Sequence, residues 1–105
     1  MKRKVRKPLL PSTIVCKVTK SLPEKYKDKQ KDYDYEEGWW ENEFPVLRVW
    51  AKPDKDKVKV ARTLVHEFIE GILEAGFLMR HKEAHLIAQL LEEEFVKYLK
   101  MFNAR

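Results

Sequence analysis

The sequence predicts an α+β fold: a small three-stranded, mostly antiparallel sheet packed on two long antiparallel helices. Three observations predict it. Short β-branched and aromatic runs bounded by turn residues occupy the first half of the 105-residue chain. Two stretches with apolar residues at helical spacing occupy the second half. Only Phe77 to Arg80 separates those two stretches, which makes them antiparallel neighbours. A chain of this length supports one modest core, so residues 12–105 read as a single domain behind a basic arm, residues 1–11.

The arm carries Lys2, Arg3, Lys4, Arg6 and Lys7, and these account for the whole formal charge of +5. The body balances its acids and bases, so it has no general surplus for phosphate. The arm reads as a solvated terminus, with a weak nucleic-acid contact as the functional alternative. No apolar run is long enough for a transmembrane helix, and no apolar segment of signal-peptide type follows the arm. The single cysteine, Cys16, fits a reducing, cytoplasmic setting and reads as a small core side chain. A charged content of 37%, mostly Lys and Glu, leans towards a thermophilic source.

The first strand is expected over Thr13 to Thr19, with Ile14, Cys16 and Val18 on one face and Val15 on the other. Ser21-Leu22-Pro23 breaks it. Glu24 to Lys31 reads as a short solvated helix anchored by Tyr26. Tyr33 to Trp40 reads as the second strand, irregular at Gly38. Adjacent Trp39 and Trp40 must face opposite ways. Glu41-Asn42-Glu43 is the expected hairpin turn, and Val46 to Ala51 the third strand.

Asp54 is the expected N-cap of the first long helix, with Asp56 in its first turn and Gly76 at its end. Val58, Ala61, Val65, Phe68, Ile69 and Ile72 form its apolar stripe. The second helix, His81 to Phe102, has Ala84, Ile87, Ala88, Leu91, Phe95, Leu99 and Phe102 as its stripe, with Glu92, Glu93 and Glu94 on a solvated face.

Chemistry concentrates on the first helix, in His66-Glu67-Phe68-Ile69-Glu70. Residues four apart on a helix lie nearly above one another, so His66 and Glu70 can grip one metal ion. The intervening Glu67 is turned aside, where a carboxylate can act as base on metal-bound water. This is the logic of the H-E-x-x-H helix, here written H-E-x-x-E. A third ligand must come from elsewhere, and the start of the second helix offers His81, Glu83 and His85. Glu83 and His85 flank the stripe on opposite sides, so packing selects one. His85 would complete two His and one carboxylate, a usual hydrolytic zinc set in shuffled order. Glu83 would give a harder, more anionic set that suits Mn or Fe. The bland alternative is a charged helix face that spells the motif by chance. A ferritin-like di-iron site needs four helices, a nucleophilic triad has no supporting pattern, and a Gly-rich phosphate loop is absent from the sequence.

Thr63 to Leu73, T-L-V-H-E-F-I-E-G-I-L, resembles the T-L-x-H-E-x-x-H-x-I helix of small zincin-like proteins of phages, plasmids, bacteria and archaea. Residues 83–91, E-A-H-L-I-A-Q-L-L, resemble the E-A-x-x-F-A-x-x-L-L helix of gluzincins, including phage immunity-region peptidases that cleave repressors. The resemblance spans about residues 33–100. It implies a zincin-like fold and a peptide or protein substrate. It also implies Glu67 as general base and Glu83 as third zinc ligand. The strand before the helix, with Val46, Arg48 and Trp50, would pair with substrate. Glu70 stands where the family has His, so the resemblance speaks to fold more than to activity. Two functional readings follow: a minimal zincin-like metallopeptidase, or a zincin-derived module without catalysis that binds protein or nucleic acid.

Overall fold

The computed structural model describes residues 10–26 and 37–103, the last two by backbone alone. The readings of the basic arm up to residue 9, of residues 27–31 and 33–36, and of the Phe102 side chain therefore lie outside the described residues. Strand β1 (Thr13–Val18), a single 3-10 turn (Glu24–Tyr26), β2 (Gly38–Glu43) and β3 (Val46–Ala51) precede helix α1 (Lys57–Gly71). A π-helical turn (Ile72–Gly76) and helix α2 (His81–Asn103) follow. The α+β class is as expected, with two long helices.

The sheet is mixed rather than mostly antiparallel. Its order is β1-β3-β2, with β2 antiparallel and β1 parallel to β3. The chain leaves β1 beside the end of β3, where Thr19 N–H donates to the Ala51 carbonyl, and re-enters at β2 on the other side of that same end. The crossing segment covers one sheet face: Leu22 and Tyr26 are buried against Trp50, with Trp39 packed beside them. The Tyr26 and Trp50 rings meet edge-on, 5.2 Å between centroids.

The hairpin turn is Phe44-Pro45, not Glu41-Asn42-Glu43, because Glu43 still pairs with Val46. Those polar residues are strand residues with cross-strand partners. Glu43 accepts from Arg48 Nε at 2.6 Å, from Lys25 Nζ at 2.7 Å and from the Tyr26 hydroxyl. The N-cap is Asp56, whose Oδ1 accepts from the Val58 and Lys59 amides, while Asp54 accepts from the Asp56 amide. Gly76 does not take a left-handed conformation; that falls to Leu78, at φ 54°. Gly76 instead answers a close approach, since a Cβ there would lie 2.6 Å from the Leu10 side chain.

α1 lies on the face carrying Leu47, Val49 and Ala51, all fully buried. In parallel register Ile14, Cys16 and Val18 share that face, yet all three are exposed. The helix spans β2 and β3 and stops short of β1, which corrects the expectation of a buried Cys16. On α2, Ala84 and Ala88 are completely buried, while Leu91 is exposed. Two alanines at the contact let the helices approach closely, so side chains of ordinary reach overlap between them.

Candidate metal centre

α1 and α2 run side by side, and each presents polar side chains to the other at helical spacing. From α1 come Arg62, His66 and Glu70, each four residues on; from α2 come His81, His85 and Glu92. They line a cleft of about 650 Å³ whose opposite wall includes Gly38 of β2. No Cβ fits at Gly38, where it would stand 2.7 Å from both Glu67 Cγ and Thr63 Cγ2. The glycine lets the strand close down on the helix at this point.

Three ligand-type atoms converge. His66 Nε2 lies 3.1 Å, and His85 Nδ1 3.0 Å, from the same Glu70 oxygen, Oε2. All three atoms lie within 4.8 Å of one another, a grouping that could hold a metal ion. Ligand atoms around tetrahedral zinc are about 3.3 Å apart for bond lengths near 2.05 Å, so little movement separates these contacts from coordination. The His66 and His85 rings meet edge-on at 4.8 Å.

The surroundings fix this geometry. His66 turns Nε2 inward because Nδ1–H donates to Glu92 Oε1 at 2.8 Å, and the other Glu92 oxygen sits 3.3 Å from Arg62 Nε. A carboxylate behind a ligating imidazole sets its tautomer and raises its basicity. From the sheet, Trp40 Nε1–H donates to Glu70 Oε1 at 3.3 Å. Burial pushes the Glu70 carboxyl up, but hydrogen bonds from His66, His85 and Trp40 outweigh it and hold the group at about 2. The Glu70 hydrogen bond, helped by Glu92 and opposed by burial, raises His66 to about 9. Without metal, His66 is thus an imidazolium between two carboxylates.

Glu67 differs. Burial, with the charge of Glu70 adding to it, pushes its carboxyl up to about 7. It lines the same cleft and makes no hydrogen bond or ion pair with another described residue. A carboxyl poised near neutrality beside a ligand cluster is suited to moving a proton.

Of the α2 candidates, packing selects His85. Glu83 is exposed and belongs to neither metal-type grouping among the described residues. It lies about 200° around α2 from both His81 and His85, which share a side as an i, i+4 pair. His81 turns to a different partner: Nδ1–H donates to Glu74 Oε2 at 2.9 Å, and this bond raises its pKa.

Val46, Arg48 and Trp50 do not border the cleft. β3 is the central strand, with both edges taken, so it has none for a substrate strand. Their side chains face the far side of the sheet, where Trp50 is buried and Arg48 pairs with Glu43. The strand beside the cleft is β2, whose outer edge no described strand pairs. Lys52 N–H donates to the Glu37 carbonyl at 2.9 Å, and ladder alternation then directs the backbone groups of Gly38 and Trp40 away from β3. Trp40 and Glu92 are site residues that sequence reasoning missed, and for Glu92 the reason is plain in the sequence. Its only signal is the spacing of seven from His85, which places it on the same side of α2.

Comparisons with protein-family models, with curated proteins and with solved structures return no match for this chain. No helix among the described residues is long and apolar enough to cross a membrane.

Proposed function

We propose that the protein is a minimal zincin-like metal-dependent peptidase. One observation carries this reading: His66 Nε2, Glu70 Oε2 and His85 Nδ1 meet in the cleft that Glu67 also lines, and burial raises the Glu67 carboxyl, which pairs with no other described residue. Two imidazoles and one carboxylate form a hydrolytic zinc set. The usual arrangement has two His on the first helix and the acid on the second. Here one imidazole and the acid have exchanged helices, which accounts for H-E-x-x-E without loss of the donor set. Zinc suits these donors, and Mn or Fe would be tolerated.

When bound, the cation supplies Lewis acidity and acidifies water. The chain's own residues do the rest. Glu92 holds the His66 ring, and Trp40 holds the plane of the Glu70 carboxylate. Glu67 takes a proton from water and passes it to the leaving amine. The outward backbone groups of Gly38 and Trp40 offer an extended peptide a strand to pair with. The test is metal content after saturation with zinc, for the wild type and for His66→Ala, with hydrolysis of a mixed peptide library as second readout. One or more equivalents bound by the wild type and lost in the variant, with cleavage that Glu67→Gln abolishes, supports the reading. A wild type that retains no metal rejects it.

The same distances favour a second reading, a structural ion-pair ladder. Arg62, Glu92, His66 and Glu70 alternate in charge along the helix seam, and His85 hydrogen-bonds to Glu70 at its end. Such a seam would serve a module that binds partners without catalysis. Full thermal stability in chelator, unchanged by added zinc, selects this reading.

A further inference from the structure

We propose that Glu70 is a bridging carboxylate and that the cleft holds two divalent cations. The second position uses Glu70 Oε1, Glu74 Oε2 and His81 Nδ1. This inference rests on the first position, at His66, Glu70 and His85, being a metal site.

The two oxygens of Glu70 serve different groups. Oε2 faces His66 and His85, as described. Oε1 lies 3.6 Å from His81 Nδ1, and that same nitrogen is 2.9 Å from Glu74 Oε2. Glu70, Glu74 and His81 form a second ligand-type grouping, each offering one atom and these atoms again within 4.8 Å of one another. The arrangement follows from helix geometry. His66 and Glu70 stand four residues apart on α1, Glu74 follows four further on in the π-helical turn that continues it, and His81 and His85 stand four apart on the antiparallel neighbour. Two i, i+4 pairs that face each other make two adjacent rungs, and Glu70 belongs to both. A carboxylate shared in this way sets two metals about 3.5–4 Å apart, the separation used in two-metal hydrolytic sites.

Two further observations support the bridge. Glu70 is only 5% exposed, and Trp40, which donates to Oε1, fixes the carboxylate plane from the opposite layer. The carboxylates of Glu67, Glu70, Glu74 and Glu92 outnumber Arg62, the one Lys or Arg on the described walls of the cleft. The first cation leaves negative charge for a second. The positions are unequal: His81 is largely exposed, so the second ion is held more weakly and exchanges first.

The experiment is a Co(II) titration of the full-length protein, read by visible absorption and by bound metal per chain. Mn(II) resonance spectra at one and two equivalents report spin coupling. The expected result is two successive equivalents and a coupled Mn(II) pair. His81→Ala and Glu74→Gln, checked for native circular dichroism, should keep the first equivalent and weaken the second by more than about tenfold. A single equivalent, or a second one indifferent to both substitutions, overturns the bridge and leaves the mononuclear reading standing. No bound metal at all overturns both.

Discussion

Glu92 on α2 accepts a hydrogen bond from Nδ1 of His66 on α1, 2.8 Å away and 26 residues apart in sequence. This bond decides which nitrogen of His66 faces Glu70. A charge behind the imidazole strengthens it as a donor, whereas a neutral amide gives orientation only. Glu92→Gln is therefore expected to weaken zinc binding by about 10–100-fold with the fold intact. Competition with a chromophoric chelator measures it. An unchanged affinity would detach Glu92 from the centre.

Glu67 is expected to trade stability against turnover. In the metal-free protein its folded pKa, about 7, lies above the ordinary carboxyl value of 4.5. The folded state then binds more protons than the unfolded chain between these limits, so stability falls as pH rises from about 4.5 to 7. Glu67→Gln removes this half-buried charge. At pH 8 in chelator it should stabilise the protein by about 1–3 kcal/mol, while abolishing peptide cleavage. Urea denaturation of both forms at pH 5 and pH 8 checks the sign. A variant less stable than wild type at pH 8 would contradict it.

Glu43 acts in the opposite sense, far from the cleft. Lys25 first, then the Tyr26 hydroxyl and Arg48, hold its carboxyl down at about 2 against an ordinary 4.5. Its contribution is complete above about pH 4.5 and disappears as pH falls towards 2. These contacts tie the 3-10 turn to β2 and β3, so Glu43→Gln should flatten the acid limb of the stability profile and loosen the turn. Denaturation midpoints between pH 2 and 6, with Trp fluorescence reporting on Trp50, test this.

Gly38→Ala tests the closeness of strand and helix. The new methyl would meet the Glu67 and Thr63 side chains at 2.7 Å, so those side chains or β2 itself must shift. We expect a loss of about 1–3 kcal/mol and reduced cleavage, since the same movement shifts Glu67. Equilibrium denaturation and peptidase assay measure the two effects. A silent substitution would mean that the strand does not sit this tightly.

Much of this protein is written locally. Alternation and β-branched runs mark β1 and β3, a period of 3.6 marks the two helices, and the spacing of four sets His66 and Glu70 on one side of α1 with Glu67 turned aside, whereas β2 runs on through Glu41-Asn42-Glu43, which read locally as a turn. Those features depend only on neighbours along the chain. The choice of His85 over Glu83, the role of Glu92, and the exposure of Ile14, Cys16 and Val18 do not. Each depends on which helix side meets which strand, and on a parallel pairing between β1 and β3 that closes a long loop. Periodicity assigns a residue to a face. Only tertiary packing decides what that face meets, because the partners are brought together by contacts far apart in sequence.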